Sequence, residues 1–111
     1  MAKKTKRIDV ERGSGNVFAD LGFPDPELEQ FKAMLMLQIF RIIKGRNLTQ
    51  AQAGKALGIK QPNVSRLMRG SSGSYSVDRL MEFLTALGQN VEVTIRPTRK
   101  KQGVMSVVVA A

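Results

Sequence analysis

The residues from Gln61 to Arg69 read Gln-Pro-Asn-Val-Ser-Arg-Leu-Met-Arg. Arg carries a fixed fork of donors that matches two acceptors side by side, such as guanine O6 and N7. Gln and Asn each carry a donor and an acceptor, which matches adenine N6 and N7. Ser65 and Arg69, with Lys60 just upstream, supply donors suited to phosphate oxygens. Val64, Leu67 and Met68 recur at a helical spacing that turns them away from this polar set. The segment therefore reads as a short helix that buries Val64 and Leu67 and offers Gln61, Asn63, Ser65, Arg66 and Arg69 outward.

Other chemistries are poorly served by this composition. The 111 residues contain no His, no Cys and no Trp. Disulfides, Cys/His zinc sites and His general bases are excluded. The nine acids are scattered, and several stand at expected helix starts, where capping explains them. No enzyme activity, metal or cofactor is expected. Lys and Arg number 18, so the net charge is +9, and a polyanionic partner follows, with nucleic acid ahead of an anionic membrane surface. The excess is local. Residues 41–70 hold Arg41, Lys44, Arg46, Lys55, Lys60, Arg66 and Arg69 with no acid, a net +7. Residues 13–40 are net −3, residues 1–12 net +3, and Arg99, Lys100 and Lys101 add +3 near the other end.

The elements that must position this face follow from periodicity and capping. Asp25 suits an N-cap and Pro26 a first helical position, and Leu28, Phe31, Leu35, Ile39, Ile42 and Ile43 keep helical spacing to about Gly45. Met34, Met36, Leu37 and Phe40 widen that stripe, so this helix is expected to be buried on more than one side. Thr49-Gln50-Ala51-Gln52 is a capping box that opens a second helix, ended by Gly58. A third starts near Gln61, with Pro62 in its first turn, and ends by Gly70. Ser71–Ser74 reads as a flexible linker. Ser76 caps a fourth helix over Val77–Leu87, ended by Gly88. The period then changes to two: Val91, Val93 and Ile95 alternate with Glu92, Thr94 and Arg96, which predicts a half-buried strand stopped by Pro97. Val104–Val109 is a candidate second strand and could complete a hairpin.

Leu48–Gly70 is thus two short helices joined by a tight turn, with small residues Ala53 and Gly54 where the helices cross. It resembles the helix-turn-helix of the Xre family, whose fold is that of the lambda and 434 repressors. The likeness rests on Gln50, Gly58, Val64-Ser65, Leu67 and Gly70. The family often has Ala where this chain has Gly54. The wider segments Asn16–Asp25 and Phe83–Pro97 resemble Xre-type antitoxins of the HigA sort. The fold class implied is mainly α: a lambda-repressor-like helix-turn-helix domain with a short C-terminal β-strand or hairpin. The expected organisation is a basic arm with an apolar cluster over residues 1–23, a DNA-binding domain over 24–88, and a C-terminal β element over 89–111 that serves dimerisation.

The resemblance implies a repressor that binds double-stranded DNA as a homodimer at a near-palindromic operator. It also implies a small RelE-like mRNA interferase as a partner toxin, and repression of the shared promoter. In that frame Gln61, Asn63 and Arg66 read bases. Thr49, Gln50, Lys60, Ser65 and Arg69 hold the backbone, with the second helix's N-terminus aimed at a phosphate. A stand-alone Xre-type regulator without a toxin is the alternative. An RNA-binding protein is disfavoured by the five Phe and single Tyr, too few for a base-stacking sheet.

The ends are less legible. Lys3–Arg7 could grip DNA or act as a solubilising leader. The cluster Val17, Phe18, Leu21 and Phe23 either packs on the domain or docks on a partner. No apolar run follows the basic start before Asp20, so a signal peptide is not expected, and no stretch nears the ~20 residues of a spanning helix. The expected location is the cytoplasm, on the nucleoid when DNA is bound, with no membrane partner.

Overall fold

The computed structural model describes residues 5–9, 26–70 and 75–110. The element order is β1 (Thr5–Asp9), α1 (Pro26–Gly45), α2 (Gln50–Leu57), α3 (Gln61–Met68), α4 (Val77–Ala86) and β2 (Ser106–Ala110). The architecture is mainly α, with a short C-terminal strand. The Asp25 cap, the Val17–Phe23 cluster and the Ser71–Ser74 linker lie outside the described residues.

Leu35–Glu92 forms one compact unit. Leu35, Ile39 and Ile43 of α1 recur every four residues and are buried together with Met36. Ala53 and Leu57 of α2, Val64 and Leu67 of α3, and Leu80, Phe83, Leu84 and Leu87 at α4 complete this core. Each fully buried large apolar side chain contributes about 1.5–3 kcal/mol of transfer free energy. Tyr75 meets Phe83 edge to face at 5.1 Å, and the Arg79 guanidinium lies 4.7 Å from the centre of the same ring. The wide apolar stripe of α1 is only partly buried. Leu37 lies about 150° around the helix from the centre of the buried side and is 39% exposed.

The other described residues belong to a second unit, where β1 pairs with β2 in an antiparallel ribbon. The register runs from Thr5 opposite Ala110 to Asp9 opposite Ser106. Thr5–Asp9, for which the basic arm carried no expected element, is a strand. One expectation is corrected: residues 91–95 form no strand, with Val93 77% and Ile95 91% exposed. The β-branched run Val107–Val109 does form one, but its partner lies about a hundred residues away in sequence. Alternation reports that a segment can pair, not what it pairs with.

Candidate nucleic-acid interface

Thr49 is the N-cap of α2. Its hydroxyl oxygen accepts from the Gln52 backbone N–H at 3.1 Å, and the Thr49 N–H donates to Gln52 Oε1 at 2.9 Å. Ala53 N–H donates to the Thr49 carbonyl at 2.8 Å. This leaves the backbone N–H groups of Gln50 and Ala51 with no acceptor among the described residues. Two free donors at the positive end of a helix dipole form a site for an anionic oxygen.

The turn between α2 and α3 is built on two glycines. Gly58 adopts φ +73° and donates its N–H to the Gly54 carbonyl, which also accepts from Ile59 N–H at 3.0 Å. Gly54 is buried at the crossing itself. A Cβ added there would stand 2.8 Å from the Ile59 carbonyl oxygen and 3.3 Å from Val64 Cγ2. The absence of a side chain at Gly54 lets the turn fold this closely onto α2.

The N-cap of α3 is Lys60, whose side chain makes no capping bond, and Pro62 sits in the first turn. Neither α2 nor α3 carries an acid in its first turn, whereas α1 has Glu27 and Glu29 and α4 has Asp78. Val64 and Leu67 face the core, which orients the opposite side of α3 outward. At about 100° per residue, Gln61, Ser65, Arg69 and Arg66 fall on one outward stripe. Gln61, Arg66 and Arg69 are exposed and Ser65 is half-buried. Asn63 lies apart from them, about 130° from the middle of that stripe, and is half-buried on the flank. Pro62, which the spacing marked only as a helix starter, is exposed on the stripe between Gln61 and Arg66. A helical wheel drawn on the observed bounds of α3 reveals it.

The charges sort into two groups. Arg46 donates to the Leu87 carbonyl at 2.7 Å, and Lys44 lies 5.8 Å from the centre of the Phe40 ring. These two are engaged within the helical unit. Arg41, Lys55, Lys60, Arg66 and Arg69 are exposed. None of the five is in an ion pair among the described residues; the ion pairs there join Lys32 to Glu29 and Arg79 to Glu82. Exposed cations without an internal partner can neutralise phosphates and release the counter-ions condensed on a nucleic acid.

A sequence family described as a helix-turn-helix domain matches residues 17–96. A solved structure of a candidate XRE-family transcriptional regulator superposes with a TM-score of 0.70 at 39% identity, covering 79% of this chain and 99% of its own. The chain belongs to the Xre-type helix-turn-helix family. A Mycobacterium tuberculosis protein named as a candidate antitoxin, HigA2, is 35% identical over 51 residues, 46% of this chain. The match spans half the length of that relative. In this Xre-type chain α2 and α3 are the two helices of the motif. No described helix is long and apolar enough to cross a membrane.

Proposed function

We propose that this protein is a sequence-specific transcriptional repressor and the antitoxin of a type II toxin–antitoxin pair. It binds its operator as a homodimer, with the two copies of α3 in successive major grooves about 34 Å apart. Gln61 and Arg66 read base edges from the outward stripe, and Asn63 reads from its flank. Lys60, Ser65 and Arg69 contact phosphates beside them. Thr49 and Gln50 contact a further phosphate at the start of α2, where the backbone amides of Gln50 and Ala51 are free. The observation that carries this reading is the α2–α3 pair, with its acid-free helix starts and its unpaired cations. The antitoxin role is supported by the likeness to the HigA2 candidate. The toxin is a RelE/HigB-like mRNA interferase whose expression the same operator controls. The protein acts in the cytoplasm, on the nucleoid when bound.

Co-expression tests this directly. The reading frame beside this gene should encode a small protein that arrests growth, and this chain should relieve the arrest. Purified chain should retard the shared promoter in a gel shift. A retarded promoter without any neighbouring toxin would leave a stand-alone regulator, the function suggested by the name of the 39%-identical structure. Failure to bind any duplex would end both readings.

A further inference from the structure

Between α4 and β2, residues 91–105 form neither helix nor strand, and residues 99–102 are a run of bends. The bends turn an outgoing arm back beside a returning one. A Cβ added at Gly103 would stand 3.8 Å from the Thr98 methyl carbon. The Lys100 backbone N–H donates to the Thr98 hydroxyl oxygen at 3.2 Å, which fixes the start of the turn. The two arms border an open cleft of about 380 Å³.

Extended chain turns alternate residues to one side, and every even-numbered residue from Thr94 to Ser106 lines this cleft. The sequence decides what that side offers. Thr94, Thr98 and Ser106 bring hydroxyls, Arg96 a guanidinium and Lys100 an ammonium. The odd-numbered Ile95, Arg99, Lys101 and Met105 are not part of the lining. No acid lines the cleft among the described residues, and the sequence has none from Val93 to Ala111. Arg96 and Lys100 are exposed and make no ion pair among the described residues.

A merely solvating basic turn would scatter its charges on all sides. Here two cations share the side that carries the hydroxyls, and both arms contribute donors. A phosphate group has acceptor oxygens in several directions and a full negative charge, so it can use both arms at once. Charge-assisted bonds of this kind are the strong ones. A planar carboxylate uses donors in one plane only.

We infer that the loop Thr94–Ser106 is a phosphate-binding site outside the helix-turn-helix, and that it holds a backbone phosphate of DNA. It adds to the operator contacts proposed above, and it rests on the DNA-binding reading for the source of the phosphate alone.

Inorganic phosphate, titrated into the full chain at constant ionic strength, should shift the NMR signals of the backbone amides of residues 94–106. Arg96→Gln together with Lys100→Gln should weaken that binding about tenfold. Arg99→Gln together with Lys101→Gln removes the same charge from outside the cleft and should weaken it by about twofold or less. All four positions are exposed, so the helical core is untouched. On duplex DNA the first pair should reduce the slope of log K against log salt by about one unit, and the second pair should leave it nearly unchanged. Equal effects of the two pairs would overturn the cleft in favour of diffuse charge. Absence of any response to phosphate would overturn it as well. A phosphate response with an unchanged duplex slope would overturn the DNA source and assign the cleft to a free phosphate-bearing ligand. A native chain that binds no duplex removes the DNA-binding reading, while the phosphate titration still decides the cleft.

Discussion

The Arg46 guanidinium donates through Nη2 to the Leu87 carbonyl oxygen at 2.7 Å, joining the turn after α1 to the C-terminal end of α4. That end of a helix carries unsatisfied carbonyls and partial negative charge, so a cation is doubly suited to it. One of the seven bases of residues 41–70 is therefore committed to the fold. Arg46→Met should cost about 1 kcal/mol of stability. It should leave the salt dependence of DNA binding unchanged. Thermal unfolding and a salt titration of binding check the two halves, and a shallower salt slope would return Arg46 to the DNA-facing set.

Lys60 should behave in the opposite way. Its side chain makes no capping bond and no ion pair among the described residues. Lys60→Gln should leave the melting temperature nearly unchanged. It should weaken binding to all duplexes alike and reduce the slope of log K against log salt by about one unit.

Arg66 stands on the outward stripe of α3. Arg66→Ala should weaken binding to the preferred site by about 1–3 kcal/mol and relax discrimination at one base pair. Affinities measured on a set of single-base-pair operator variants resolve this. Equal losses across the whole set would reassign Arg66 to the phosphate backbone.

Gly54→Ala tests the turn. Alanine favours the helix by up to about 1 kcal/mol over glycine. Its Cβ, however, would meet the Ile59 carbonyl oxygen at 2.8 Å, and a backbone atom cannot swing aside as a side chain can. The expected result is a net loss of about 1 kcal/mol or more, read as a melting temperature lower by roughly 4 °C or more. A stabilised variant would show that the turn opens without cost.

Asp78 governs a pH effect at the start of α4. The Ser76 side-chain hydrogen bond, helped by backbone N–H groups of Asp78 and Arg79, holds its carboxyl below the ordinary 3.8. A lowered native pKa means that the stabilisation is present above the unfolded value and fades as pH falls through the native one. Asp78→Asn should therefore melt slightly lower than the native chain at pH 7. The two curves should converge as the pH drops below about 3.8. A constant gap across the whole range would deny the ionised carboxylate any role.

The helices and the motif were written in local signals. Thr49 and Gln52 sit three apart and make the reciprocal cap their types allow. Gly58 takes the left-handed conformation its place predicts, and Val64 and Leu67 turn inward as their spacing requires. Each of these depends on neighbours within a turn or two of the same helix, so the chain alone determines it. Tertiary structure decided the rest because the deciding partner lies far along the chain. Thr5–Asp9 pairs with Ser106–Ala110, and no local period announces that match. Arg46 looks like any other base until Leu87, 41 residues on, offers its carbonyl. Gly54 looks merely small until the Ile59 carbonyl closes over it. Asn63 and Arg66 look alike as base readers, and only the burial of Val64 and Leu67 turns one to the flank and the other outward.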